Sequence, residues 1–147
     1  MKKYVLTVSE RFPKTHNRAG EMTYFPTKIK DYEKIHTIRA NYDLWKKRFE
    51  EIEKGNAYLS VRVWEGKPYR SKQLEIFRYD KGRKIGVQSL QMTPLGWFVD
   101  GVDSEYTSKD FAKNDGLELP DFYEWFRGKI TIDMEPVAII HFTDFRY

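Results

Sequence analysis

The chain has 147 residues, 40% of them hydrophobic and 16% aromatic, which is one domain's length with enough apolar surface to bury a core unaided. It contains no cysteine, which excludes a disulfide scaffold, thiol catalysis and cysteine-ligated zinc. The net charge of +4 is unevenly spread, with 21 Lys/Arg against 11 Asp/Glu in residues 1–98 and 5 against 11 in residues 99–147, which suits the first two-thirds either to meet phosphates or to form an ordinary solvated surface of mixed charge.

Tyr4 to Val8 reads as a strand. It is too short an apolar stretch for a signal-peptide core, and no run approaches the roughly 18 apolar residues of a spanning helix. A cytoplasmic protein without membrane contact is expected. Residues 11–30 are polar and broken by Pro13, Gly20 and Pro26, the pattern of a long loop. Ile35 to Arg39 is a short strand. A helix follows, capped by Asn41 or Asp43, with Leu44, Trp45, Arg48, Phe49 and Ile52 on one stripe, and Gly55 ends it.

The centre is β-rich. Ala57 to Trp64 alternates, Glu65 to Pro68 turns, and Leu74 to Tyr79 is a strand. Asp80-Lys81-Gly82-Arg83 is a turn signal, after which Ile85 to Met92 is expected to pair back, with Gly96 to Val99 adding a short strand. Thr107 or Ser108 caps a helix that Gly116 breaks. Pro120 opens another, with Phe122, Trp125 and Phe126 on its apolar face. Val137 to Phe142 is a buried strand. Short strands with about three helices make a single α+β domain over residues 1–147, a small twisted barrel or half-open sheet with helices at one end.

The run Lys34-Ile35-His36-Thr37-Ile38-Arg39 resembles the ASCH signature of the PUA-like superfamily, a Lys followed five residues later by Arg. Lys54-Gly55 before a strand, Ala112-Lys113-Asn114-Asp115-Gly116 followed by Asp121-Phe122 and Trp125-Phe126, and Ala138 to Phe142 agree with it in order, loosely over residues 30–147. The family usually has Gly two residues before the Lys, where this chain has Tyr32. The resemblance implies a PUA-like β-barrel with a cleft between barrel and helices, and members thought to bind RNA or nucleotides. One bacterial branch hydrolyses the acetyl amide of acetylcytidine with a Lys, a Thr three residues on, and a later carboxylate. Those positions correspond here to Lys34, Thr37 and Asp115, the last an Asp where the branch has Glu.

The residues themselves give this chemistry a footing. Thr37 and Arg39 share a strand face, and Lys34 joins them only if it precedes the strand or sits at a bulge. A partly desolvated basic pocket lowers a Lys pKa, and such an amine or a carboxylate can take a Thr proton. Arg39 offers a fork for a phosphate or a base edge. The bland alternatives are a strand Thr between solvated cations and an Asx turn at Asp115. Lys67, Tyr69, Arg70 and Lys72 form a basic patch that can grip a nucleic-acid backbone and stack a base, or simply guard a hairpin edge. His16, His36 and His141 are scattered without ligand spacing, and there is no Gly-rich phosphate loop, so no metal and no cofactor are expected. The two aromatic stripes read as core. The leading expectation is a module binding RNA or a modified nucleoside in a cleft at Lys34–Arg39. The alternatives are a small amidohydrolase for an N-acylated pyrimidine nucleoside, and a protein-interaction domain with an inert cleft.

Overall fold

A computed structural model describes residues 1–127 and 135–147. Its organising element is a strand near the end of the chain, β8 (Val137–His141 in the numbering below), buried at all positions. A strand buried on both faces and both edges must lie inside a sheet and between two packed layers. In chain order the elements are β1 (Lys2–Thr7), α1 (Phe25–Lys30), β2 (His36–Arg39), α2 (Tyr42–Glu53), β3 (Ala57–Trp64) and β4 (Gln73–Tyr79), then β5 (Gly86–Thr93), β6 (Gly96–Val99), β7 (Val102–Asp103), α3 (Ser108–Asn114), α4 (Leu119–Phe126) and β8 (Val137–His141).

The class is mixed α+β. One sheet has the order β1-β3-β4, with β1 parallel and β4 antiparallel to β3; the other has the order β2-β8-β5-β6-β7 and is antiparallel. Among the described residues no strand is hydrogen-bonded into both sheets, so closure into a barrel is not seen. The described residues form two cores. Ala138 and Ile140 face the one formed with Leu6, Val8, Leu59 and the α2 side chains Trp45, Phe49 and Ile52. Val137 and Ile139 face the other, formed with Ile38, Phe111 and Phe122.

Four expectations change. Residues 11–30 are not wholly loop: Phe25–Lys30 is helical, and Arg11 and Met22 form a bridge. The described residues hold four helices rather than three. The strand after the Asp80–Arg83 turn does not pair back onto β4. It crosses to the second sheet, where β8 offers it a deeply buried partner. On α2, Leu44 leaves the apolar stripe for solvent while Trp45, Phe49 and Ile52 are buried.

Candidate functional site

The site forms where α1, β2 and the end of α3 meet. After α1, Tyr32 turns with φ 60°, and the amides of Glu33 and Lys34 both donate to the Lys28 carbonyl. Lys34 therefore lies two residues ahead of β2, bridged through its backbone to Asp115. That is the placement strand parity demands if Lys34 is to share a cleft with Thr37 and Arg39.

Asp115 is fixed by the way α3 ends. Thr107 and Asp110 form a capping box at its start. At its end Gly116 takes φ 79°, and the amides of Gly116 and Leu117 donate to the Lys113 and Ala112 carbonyls, a Schellman closure. A Cβ on Gly116 would come 3.0 Å from Lys34 Cβ. Glycine is thus required twice, for its backbone and for the approach of Lys34.

Lys34 is 1% exposed, and its Nζ donates to the Asp115 carbonyl at 2.8 Å and to Asp115 Oδ1 at 3.0 Å. The ammonium also stands 4.2 Å from the centre of the Phe25 ring. Lys28 Nζ donates to the Gly116 carbonyl at 2.8 Å. Two cations thereby meet the carbonyl end of α3, where the helix dipole favours positive charge.

Behind the carboxylate lies a buried polar chain. His36 Nδ1 is 3.4 Å from Asp115 Oδ1, close but poorly aligned for a hydrogen bond. His36 Nε2 is 2.6 Å from Tyr147 Oη, and that oxygen accepts from Asn114 Nδ2 at 3.0 Å. A bare Nδ1 lone pair would be repelled by the carboxylate. The proton therefore belongs on Nδ1, and Tyr147 donates to Nε2. His141 packs edge-on to His36 at 5.7 Å, its Nε2 bonded to Gln88 Oε1. The expectation of scattered histidines fails here, because β2 and β8 pair His36 directly with His141.

Burial pushes the Lys34 ammonium down to about 8, with Asp115 opposing part of that fall. Burial pushes the Asp115 carboxyl up, but Lys34 and His36 outweigh it and hold it below its usual value. His36 is pushed down chiefly by burial. The pair is therefore ionised at neutral pH beside a neutral imidazole.

Thr37 Oγ1 accepts from Arg39 Nη1 at 2.7 Å, and Arg39 Nη2 donates to the Thr7 carbonyl at 2.7 Å. The hydroxyl's own proton is left to point elsewhere. Lys34, Thr37, Arg39 and Asp115 all line one cavity of about 330 Å³, with Phe25 and Trp125 among its apolar walls. β2 is the edge strand of its sheet, which is why residues from both of its faces reach this opening. No hydrogen bond links Thr37 to Lys34 or Asp115 among the described residues.

Lys67, Tyr69, Arg70 and Lys72 lie elsewhere, exposed on the turn between β3 and β4. Trp125 and Phe126, read as core, are half-buried and face the cleft. Sequence reasoning missed Phe25, Lys28, His36, Asn114 and Tyr147. The one usable signal was the spacing of Phe25, Lys28 and Ile29 on a single helical turn, hidden by reading that stretch as loop. Among the described residues no group of three or more His, Asp or Glu could hold a metal ion, and no helix is long and apolar enough to cross a membrane. No family model matches this chain, and neither does any curated protein or solved structure.

Proposed function

We propose that this chain is a PUA-like module of the ASCH kind that takes the base of a modified pyrimidine nucleoside in the cleft at β2. One observation carries the reading. A cavity of about 330 Å³ places a buried Lys34–Asp115 pair, the Thr37 hydroxyl and the Arg39 guanidinium together with Phe25 and Trp125. Its volume is at the small end of the range for ligand clefts. Aromatic walls suit a flat heterocycle, and the mixed donors and acceptors suit its polar edge. The ASCH resemblance supports the same reading, and Tyr32 adds to it. Where the family carries Gly, Tyr32 holds the left-handed backbone that glycine favours.

Calorimetric titration with cytidine, acetylcytidine and ribose 5-phosphate tests this. The nucleosides are expected to bind and the sugar phosphate to bind more weakly. Arg39→Ala should weaken nucleoside binding by at least about tenfold, the usual loss of a charged hydrogen bond. If no nucleoside binds at millimolar concentration, the reading fails and the cleft is inert.

A second reading is hydrolysis of an N-acyl group on that base, favoured by the Arg39 donation to Thr37 Oγ1 and by the lowered pKa of Lys34. Thr37 Oγ1 would add to the acyl carbon while its proton passes through one water to a neutral Lys34. The C–N bond then breaks, the amine leaves with that proton, and water hydrolyses the acyl ester. Asp115 holds Lys34 in place, and Arg39 steadies charge on Oγ1. Release of acetate from acetylcytidine should rise with pH to a limb near 8 and vanish in Thr37→Val. A rate that is flat between pH 6 and 9 would remove Lys34 as the base.

A further inference from the structure

We infer that a second cleft, next to the first, takes the neighbouring nucleotide, so that the ligand is a single-stranded polynucleotide rather than a lone nucleoside. The inference rests on the nucleoside reading of the first cleft and adds a site to it.

The second cleft has a volume of about 550 Å³ and is lined by Arg11, Lys14, Trp64, Tyr69 and Gln73 among others. It shares Thr7 and Ser9 with the first. Thr7 is held from both sides. Its carbonyl accepts from Arg39 of the first cleft at 2.7 Å, and its hydroxyl accepts from Gln73 of the second at 3.3 Å. A chain lying across Thr7 and Ser9 would pass from one cleft to the other without leaving the surface.

The walls of this second cleft are already in place. Arg11 Nη1 donates to the Gly20 carbonyl at 2.9 Å, and across the loop the Phe12 carbonyl accepts from the Gly20 amide while the Phe12 amide donates to the Glu21 carbonyl. On the far side, the Ser71 hydroxyl bridges the Gly66 amide and the Lys67 carbonyl, while Glu65 bonds Lys72 through the backbone. This braced turn presents Tyr69, which is 88% exposed, has φ 64°, and lies 5.3 Å from the Trp64 ring. A large aromatic in a left-handed conformation is strained. Held out beside Trp64, the ring offers a face on which a base can stack.

Charge points the same way. Arg11 and Lys14 line the cleft, and Lys67, Arg70 and Lys72 flank it on the Tyr69 turn. Among the described residues none of these five is in an ion pair. One carboxylate, Glu10, also lines the cleft. The excess of cations around a stacking face fits a phosphodiester strand better than a neutral peptide.

The test compares three probes on the full chain: cytidine, a single-stranded RNA octamer, and the same octamer in a duplex. The single strand is expected to bind at least tenfold tighter than cytidine and tighter than the duplex. Tyr69→Ala should weaken the octamer at least about fivefold, the loss expected for one stacked base, and leave cytidine affinity unchanged. Arg11→Gln and Lys14→Gln should each lower the log–log salt slope by about 0.7 if the side chain meets a phosphate. Should cytidine bind while the octamer is no tighter, or is indifferent to Tyr69→Ala, the second subsite is refuted and the first cleft stands. Equal affinity for the duplex also refutes it. Should neither probe bind, it is the nucleoside reading that has failed, and this inference with it.

Discussion

Around Lys34 the polar groups are buried and paired: Nζ has two oxygens of Asp115, and Asp115 has His36, Tyr147 and Asn114 behind it. Around Tyr69 the cations are exposed and the aromatic ring stands in solvent. The two clefts share a wall and still differ in how charge is used. A charge taken out of water must be matched, so the first cleft has a fixed geometry and altered pKa values. A charge left in water is screened and mobile, so the exposed cations of the second add little to stability. Selectivity should therefore lie in the first and affinity for a long ligand in the second.

The sharpest way to break this contrast is to remove one member of the buried pair. Asp115→Ala leaves Lys34 without its counter-charge and is expected to destabilise the fold by about 3–5 kcal/mol in urea unfolding. Adding Lys34→Met to it should restore part of that loss, because the stranded charge is then gone. A loss below about 1 kcal/mol would mean that water already reaches the pair. Next in size, Gly116→Ala introduces strain at φ 79° and a contact 3.0 Å from Lys34 Cβ. About 1–3 kcal/mol is expected, measured in the same way.

The pH dependence comes third, and its sign follows from the shifts. Asp115 lies below its ordinary 3.8 in the fold, so its stabilisation is complete above that value and is lost as pH falls through its folded pKa. Lys34 has the same sign in a higher window. Its folded value of about 8 lies below the ordinary 10.5, so between those two pH values the unfolded chain holds more protons and stability rises with pH. The parent chain should accordingly gain stability relative to Lys34→Met from pH 8 to 10.5. A constant difference across that window would show that Lys34 titrates normally. The smallest effect belongs to the open cleft. Tyr69→Ala and Lys72→Ala should each change stability by no more than about 0.5 kcal/mol, and a larger loss would show that the turn is structural.

Local signals reached a good part of this molecule. β3 spans Ala57–Trp64 as its alternation implies, Asn41 caps α2 through its side chain, and Thr107 caps α3. These features depend on neighbours within a few residues. α1 escaped notice because its start has no side-chain cap and it is only one and a half turns long; burial of Phe25 and Ile29 holds it. The Asp80–Arg83 turn reads as a hairpin, yet the following strand joins β8, since local turn chemistry does not choose a partner.

At the site the division is equally clear. Residue type and parity bring Thr37 and Arg39 to one face of a strand from the sequence alone, and allow Lys34 to join them only ahead of that strand or at a bulge; the structure chose the first. That Asp115 is the counter-charge came only as an implication of the ASCH resemblance, since 81 residues separate the two. The tertiary structure alone decided that both are buried, that His36 and Tyr147 stand behind the carboxylate, and that Thr7 divides two clefts. Periodicity and capping act within a turn or a strand, and they are written in the local order of side chains. Burial, pKa and the meeting of distant groups depend on how sheets and helices pack, which no short stretch of this chain encodes by itself.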